Sequence, residues 1–274
     1  MVCRETRAGA LARVSRQTSR MTPLADTHVH LLAALDDGPR DQDEAVALCR
    51  ALVADGVRFA AATAHQNPLF SDNTADRIRT ATATLAGVLR EKNIPLTLFP
   101  TGEAYLTESL AADLTADRVQ PYGVGGRYVL AEMPGWVYLD PRPIAESLKP
   151  LGVRLVIAHA ERYPEMLHDP ELTAECVAAG CLIQVTVEGL TDADARDTAA
   201  VRTWAKWGLI HLLGSDGHRI DGRRPRLKEG FDVLAKWMGV PAAERVAGLW
   251  NTAVLQGLPV NVPPPKPPKR GWFG

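Results

Sequence analysis

Two histidines separated by a single residue, His28 and His30, stand in the segment Asp26-Thr27-His28-Val29-His30. Side chains alternate along an extended strand, so this spacing points both imidazoles into one space. Further on, His65, Glu103, Glu132, His159 and the pair Asp216 and His218 follow short apolar runs, each a residue type that ligates divalent metal ions. A single such histidine is more commonly a hydrogen-bonded core or surface residue. Repeated at the ends of successive runs, these residues point instead to a metal site able to activate water and to bind an anionic substrate. His168 and His211 fall outside the pattern and are expected at the surface and inside a strand.

The runs that carry these residues cover 25–29, 57–63, 96–101, 128–132, 154–158, 182–186 and 210–215, and helical patterns separate them. The segments 41–56, 142–152 and 169–180 each end at a glycine, as helices preceding a strand do. The Leu48, Cys49 and Leu52 stripe of the first, and Trp204 and Trp207 later on, read as packing residues. Seven strands alternating with helices predict a parallel α/β barrel of TIM-like type. Such barrels build their sites on the rim at the C-terminal ends of the strands, and six of these seven strand ends deliver a ligand-type residue.

Composition narrows the alternatives. The 274 residues are 46% apolar and 23% charged, the balance of a globular protein, and no apolar run approaches the ~18 residues of a membrane span. A formal charge of -1 argues against a nucleic-acid partner held by phosphate attraction. Four scattered cysteines make neither a disulfide scaffold nor a CxxC motif, so a reducing cytoplasm is the expected compartment. Residues 1–20 form a basic extension with five arginines against one acid, and 261–274 a proline-rich tail; the domain is expected over 21–260. The sequence carries no signal for an oligomeric state.

The strand-end residues, together with Leu35-Asp36-Asp37-Gly38-Pro39, Ala158-His159-Ala160-Glu161-Arg162-Tyr163, Ser215-Asp216-Gly217-His218 and Asp221-Gly222-Arg223, resemble the PHP (polymerase and histidinol phosphatase) superfamily. Within it the chain is similar to the bacterial manganese-dependent protein-tyrosine phosphatases of the CpsB/YwqE type, associated with capsule and exopolysaccharide operons. The resemblance covers 24 to about 258 and implies a distorted (β/α)7 barrel with a trinuclear centre. By that resemblance His28, His30, Glu103 and Asp216 hold one ion, Glu103 bridges to a second completed by Glu132 and His159, and Asp37, His65 and His218 hold the third. Ala64 stands where many relatives have proline, and Arg223-Arg224-Pro225 replaces a single arginine followed by prolines.

The implied cofactor is Mn2+, three ions in all, with Fe2+ or Zn2+ also compatible with nine oxygen and nitrogen ligands. The implied activity is hydrolysis of phosphotyrosine in a protein, expected to be an autophosphorylated bacterial tyrosine kinase, by hydroxide generated on the metal. Arg162 and Arg223 follow ligand residues closely and are expected to grip phosphate oxygens, whereas Arg224 and Arg226 read as a solvated loop. A phenolate leaving group has a pKa near 10, so no dedicated general acid is required, and none is evident. Amidohydrolase barrels, which also open with HxH, use a lysine where Glu132 stands. The remaining alternatives are a phosphatase of a small molecule such as histidinol phosphate, and a catalytically weak metal-binding phosphotyrosine regulator.

Overall fold

The structure is a computed structural model that describes residues 22–266 except 124; residues 1–20 and 267–274, the extension and most of the tail, lie outside the described residues. Strands β1 (Leu24–Asp26), β2 (Val57–Gln66), β3 (Thr97–Tyr105), β4 (Tyr128–Glu132), β5 (Arg154–Ile157), β6 (Leu182–Thr186) and β7 (Leu212–Gly214) lie side by side in chain order. Every neighbouring pair is parallel, as the strand-helix alternation predicts. The sheet curls into a nearly closed barrel. Its seam is bridged by the Asp216 N–H donating to the His28 carbonyl at 2.7 Å and the His30 N–H donating to the Gly217 carbonyl at 2.9 Å.

The strand positions match the sequence reading, but β1 and β7 are shorter and β2 and β3 are longer. The Asp26 carboxylate explains the short β1, because its Oδ1 accepts from the His28 N–H at 3.0 Å and draws the chain out of the ladder. Pairing resumes as isolated bridges at Val29 and His30.

Alternation sorts the apolar residues into two layers. Ala61, Tyr128, Leu130, Val156, Ala158, Leu182 and Leu212 fill the barrel interior, closed at its foot by Val254 and Leu255. Their strand neighbours Val129, Leu155, Ile157, Ile183, Val185 and Leu213 face the helices and join Leu48, Leu52, Ile78, Leu148, Trp204 and Leu234. The helix Gln42–Ala54 shows why these segments are helical: Asp41 caps it by accepting from the Glu44 N–H at 2.9 Å, acids fill its first turn, and its Leu48, Cys49 and Leu52 stripe is buried.

The helices Pro141–Leu148 and Pro170–Ala179 likewise precede β5 and β6, the first extended by a 3-10 turn to Gly152. Trp204 is wholly buried in the helix Ala195–Trp207. Cys49, Cys176 and Cys181 are buried free thiols. At the barrel's foot the described tail residues run past this helix, with the Lys266 N–H donating to the Trp207 carbonyl at 2.8 Å. Among the described residues no helix is long and apolar enough to cross a membrane.

Candidate metal centre

The inward-facing series that fills the barrel changes character at the top. On β2 it runs Ala61, Thr63, His65; on β3 Phe99, Thr101, Glu103; on β4 Tyr128, Leu130, Glu132. Two residues per repeat therefore carry each polar side chain onto the same face as the core beneath it. Register adds the lateral match, since His65 pairs directly with Glu103 across the parallel ladder.

Glu103 is the hub. Its Oε2 lies 3.1 Å from His28 Nε2, 3.3 Å from His30 Nε2 and 3.1 Å from His65 Nδ1, and its Oε1 lies 2.9 Å from His159 Nε2. Asp216 Oδ1 stands 3.4 Å from His28 Nε2, and Glu132 Oε1 3.3 Å from His65 Nδ1. Asp37 Oδ1 reaches His65 Nε2 at 3.5 Å and His218 Nε2 at 3.2 Å. All nine candidate ligands thus form one connected cluster. His211 is buried but stands just before β7 rather than inside a strand, and His168 is exposed as expected, 3.4 Å from Asp197; both lie apart from the centre.

Three sets of donor atoms converge within 4.8 Å: His28, His30 and Glu103; His65, Glu103 and Glu132; and His30, Asp37, His65 and His218. Compared with the grouping implied by the family resemblance, the first set lacks Asp216 and the third adds His30. In the second, His65 takes the place expected of His159, because its Nδ1 faces both Glu103 and Glu132.

The outer nitrogens of the imidazoles are also engaged. His30 Nδ1 pairs with Asp36 Oδ2 at 2.7 Å, His28 Nδ1 with Gln184 Oε1 at 2.9 Å, and His218 Nδ1 donates to the Asp216 carbonyl at 2.9 Å. His159 Nδ1 lies 3.3 Å from the Tyr163 hydroxyl, which also accepts from the Met133 N–H at 2.9 Å. Such partners fix ring orientation and choose which nitrogen keeps its lone pair. Residue type and spacing do not mark Asp36, Gln184 and Tyr163 as partners: Asp36 and Tyr163 stand inside the motifs, and Gln184 is the inward-facing residue of β6, the strand whose end carries no ligand-type side chain.

The backbone is bent to suit. His159 (φ 31°, ψ 51°) and Asp216 (φ 52°) occupy the left-handed region, where side chains are strained by order 1–3 kcal/mol and persist only when their surroundings hold them. A Cβ at Gly38 would lie 3.1 Å from the His30 Cβ, and one at Gly214 2.6 Å from the His28 Cβ, so both glycines clear space for the ring pair.

Electrostatically the centre calls for cations. Burial opposes charge on His65, yet the Glu103, Asp37 and Glu132 carboxylates overcome it and push its pKa up to about 11. Burial likewise works against ionised Glu103 and Asp216, but the surrounding imidazoles, and for Asp216 the arginines, hold both carboxyls well below their usual range. Arg162 and Arg223 converge on Asp216 Oδ2, the former at 2.7 Å, while Arg162 also touches Glu188 at 3.0 Å. Arg224 is exposed as expected. Arg226 is not simply solvated: it is half-buried and pairs with Asp192 at 2.6 Å.

The donor set suits divalent metal ions on two grounds. It consists of imidazole and carboxylate groups alone. In addition, Glu103 Oε2 and His65 Nδ1 are buried and make no properly oriented hydrogen bond despite their close neighbours, the arrangement of atoms that share an ion.

A seven-stranded α/β barrel with such a rim defines a metal-dependent hydrolase class. The chain belongs to the family described as capsular polysaccharide synthesis, CpsB/CapC, which it matches over residues 24–256. It is 29% identical over 251 residues to the tyrosine-protein phosphatase YwqE of Bacillus subtilis, covering 90% of this chain and 97% of that one. It is 25% identical over 232 residues to the tyrosine-protein phosphatase CpsB of Streptococcus pneumoniae, covering 81% and 94%. A solved structure from work on these two proteins, described as unique metal-dependent tyrosine phosphatases, superposes with a TM-score of 0.82 at 28% identity, covering 90% of this chain and all of the other.

Proposed function

We propose that this protein is a metal-dependent protein-tyrosine phosphatase, with His28, His30, Asp37, His65, Glu103, Glu132, His159, Asp216 and His218 as its metal ligands. The observation that carries the reading is the convergence of three imidazole nitrogens within 3.1–3.3 Å of one buried, otherwise unsatisfied Glu103 oxygen. Family membership and relatives named as tyrosine-protein phosphatases support it.

Divalent ions held by these nine residues would polarise phosphate oxygens and lower the pKa of a bound water to around 7. The chain's own residues do the rest. Arg162 and Arg223 present planar guanidinium forks beside the cluster, where each can give two parallel hydrogen bonds to phosphate oxygens. Asp216 holds both forks in place until a more strongly charged dianion competes for them. Gln184, Asp36 and Tyr163 keep the ring nitrogens of His28, His30 and His159 aimed inward. Because a phenolate is a good leaving group, the chemistry proceeds without a side-chain acid.

Mn2+ is the ion this donor set is assigned in the cell, three per chain, and the substrate is a phosphorylated bacterial tyrosine kinase in the cytoplasm that acts in capsule or exopolysaccharide synthesis. The folded unit is assigned to 21–260. Metal-dependent hydrolysis measured side by side on a phosphotyrosine peptide, a phosphoserine peptide and histidinol phosphate tests this reading. The phosphotyrosine peptide should be cleaved fastest, and activity confined to histidinol phosphate would overturn the substrate class.

A further inference from the structure

Metal ions held at this centre would bind phosphate oxygens and could not by themselves distinguish a phosphorylated phenol from a phosphorylated alcohol. Selection must come from what surrounds them. Among the described residues seven large apolar side chains are exposed, and three of these, Leu69, Val137 and Ile220, lie on loops that follow β2, β4 and β7 at the metal end of the barrel. Leu69, at 83% exposure, is the most open of them all.

Leu69 sits at the crest of a short 3-10 turn, Pro68–Phe70, directly after the strand that carries His65. The turn is pinned from both sides. Asn67 Oδ1 accepts from the Leu69 N–H at 3.0 Å, while its Nδ2 donates to Glu132 Oε1 at 3.4 Å. Asn73, just past the turn, donates through Nδ2 to the carbonyls of His65 and Leu35, each at 2.9 Å. Phe70 lies flat against the His65 ring, with centroids 5.6 Å apart and planes 8° from parallel. Beyond it opens a cavity of about 310 Å³ walled by Phe70 and Tyr105. A large apolar side chain is therefore held in water on a rigid support that is hydrogen-bonded to one candidate ligand and stacked on another.

Resting on the phosphatase reading above, we propose that Leu69 and Phe70 form an apolar lip that receives the phenyl ring of phosphotyrosine and so determines specificity. Phosphotyrosine places its ring immediately behind the phosphate, where a turn joined to His65 and Glu132 can meet it. Phosphoserine has a single methylene there and leaves the lip uncovered. The hydrogen bonds of Asn67 and Asn73 fix the turn beforehand, so contact with the ring costs little ordering. Covering on the order of 50 Å² of apolar surface corresponds to about tenfold in affinity.

The test compares the metal-loaded wild type with Leu69→Ser, and with Leu249→Ser as an exposed control at the other end of the barrel. Because Leu69 is exposed, its replacement leaves folding intact, which melting temperature verifies. Binding of phenylphosphonate and methylphosphonate is measured by calorimetry, alongside kcat/KM for phosphotyrosine and phosphoserine peptides. Leu69→Ser should weaken phenylphosphonate about tenfold, leave methylphosphonate unchanged and lower the phosphotyrosine preference by a similar factor, while Leu249→Ser changes none of these. Equal effects on both phosphonates, no effect on either, or a change of oligomeric state in place of aryl binding would overturn the lip. Wild type that favours the aryl ligand but cleaves no phosphotyrosine would overturn the phosphatase reading and leave the lip standing.

Discussion

Gln184 orients His28 through a chain of hydrogen bonds whose direction is fixed at every step. The Thr27 hydroxyl donates to the Leu213 carbonyl at 3.1 Å, and the Tyr122 hydroxyl donates to the Thr27 carbonyl at 2.9 Å. Both oxygens are left as acceptors, and Gln184 Nε2 lies 2.9 Å from the first and 3.2 Å from the second. The amide must therefore turn its Oε1 to His28, whose Nδ1 carries the proton and donates at 2.9 Å. The Nε2 lone pair is thereby directed at Glu103, His30 and Asp216.

Replacing Gln184 by leucine removes that acceptor and should weaken divalent-metal binding 10- to 100-fold, the usual effect of losing an outer partner. Gln184→Glu keeps the acceptor and should recover most of it. Calorimetric titration of Mn2+ into both variants decides the matter; equal affinity in wild type and Gln184→Leu would remove Gln184 from the centre.

Ligands and phosphate anchors should separate by metal content. His159→Ala should lose metal and nearly all rate, whereas Arg162→Ala or Arg223→Ala should retain the metal and lose ~10²-fold in kcat/KM, as when one donor to a charged transition state is removed. Elemental analysis paired with peptide kinetics reads both. Full rate in the arginine variants would refute the anchoring role.

Metal removal should cost stability as well as activity. With its ions stripped by a chelator, the cluster retains Asp37, Glu103, Glu132 and Asp216 crowded together, and anything that binds only the folded state raises the melting temperature. The purified protein should contain two to three divalent ions, and chelation should lower Tm and abolish turnover, both restored by Mn2+. An active protein holding one ion or none would contradict the trinuclear assignment.

His211 should contribute acid lability away from the metals. Burial, aided by Arg154, holds its pKa down to about 3, and its Nδ1 accepts from the Ile183 N–H at 2.9 Å. Between pH 6.5 and 3 the unfolded chain binds a proton there that the folded chain refuses, so stability present above pH 6.5 is lost as the pH falls. Denaturant unfolding at pH 7 and pH 5 should show wild type losing about 2 kcal/mol more than His211→Asn, which keeps an acceptor but does not titrate. Identical losses would mean that His211 is not held neutral.

Starting the chain at Met21 should leave Tm, metal content and kcat/KM unchanged, because the first strand begins at Leu24 and every candidate ligand follows it. A tenfold loss in kcat/KM would place the basic extension within the working domain.

The sequence alone determined the seven-stranded parallel order and the residue types at the strand ends, because both depend on local periodicity: two residues per repeat in strands and apolar stripes in helices. It also supplied the candidate ligands, since chemistry is written in residue type. Residue type and spacing could not choose within the Asp36-Asp37 pair, where only the family resemblance pointed to Asp37; the folded loop buries the Asp36 side chain behind His30 and leaves Asp37, with a half-exposed side chain, facing His65 and His218. Nor could spacing join Gln184 to His28, or Arg162 to Asp216, because these contacts cross the barrel between elements far apart in the chain, while Arg223 meets Asp216 only through the folding of the loop they share after β7. Where the barrel's seam closes, how far each ring nitrogen stands from Glu103, and which apolar side chain is left in water beside the centre all depend on strand register and curvature. Those properties come from packing the whole barrel at once, and no single segment encodes them.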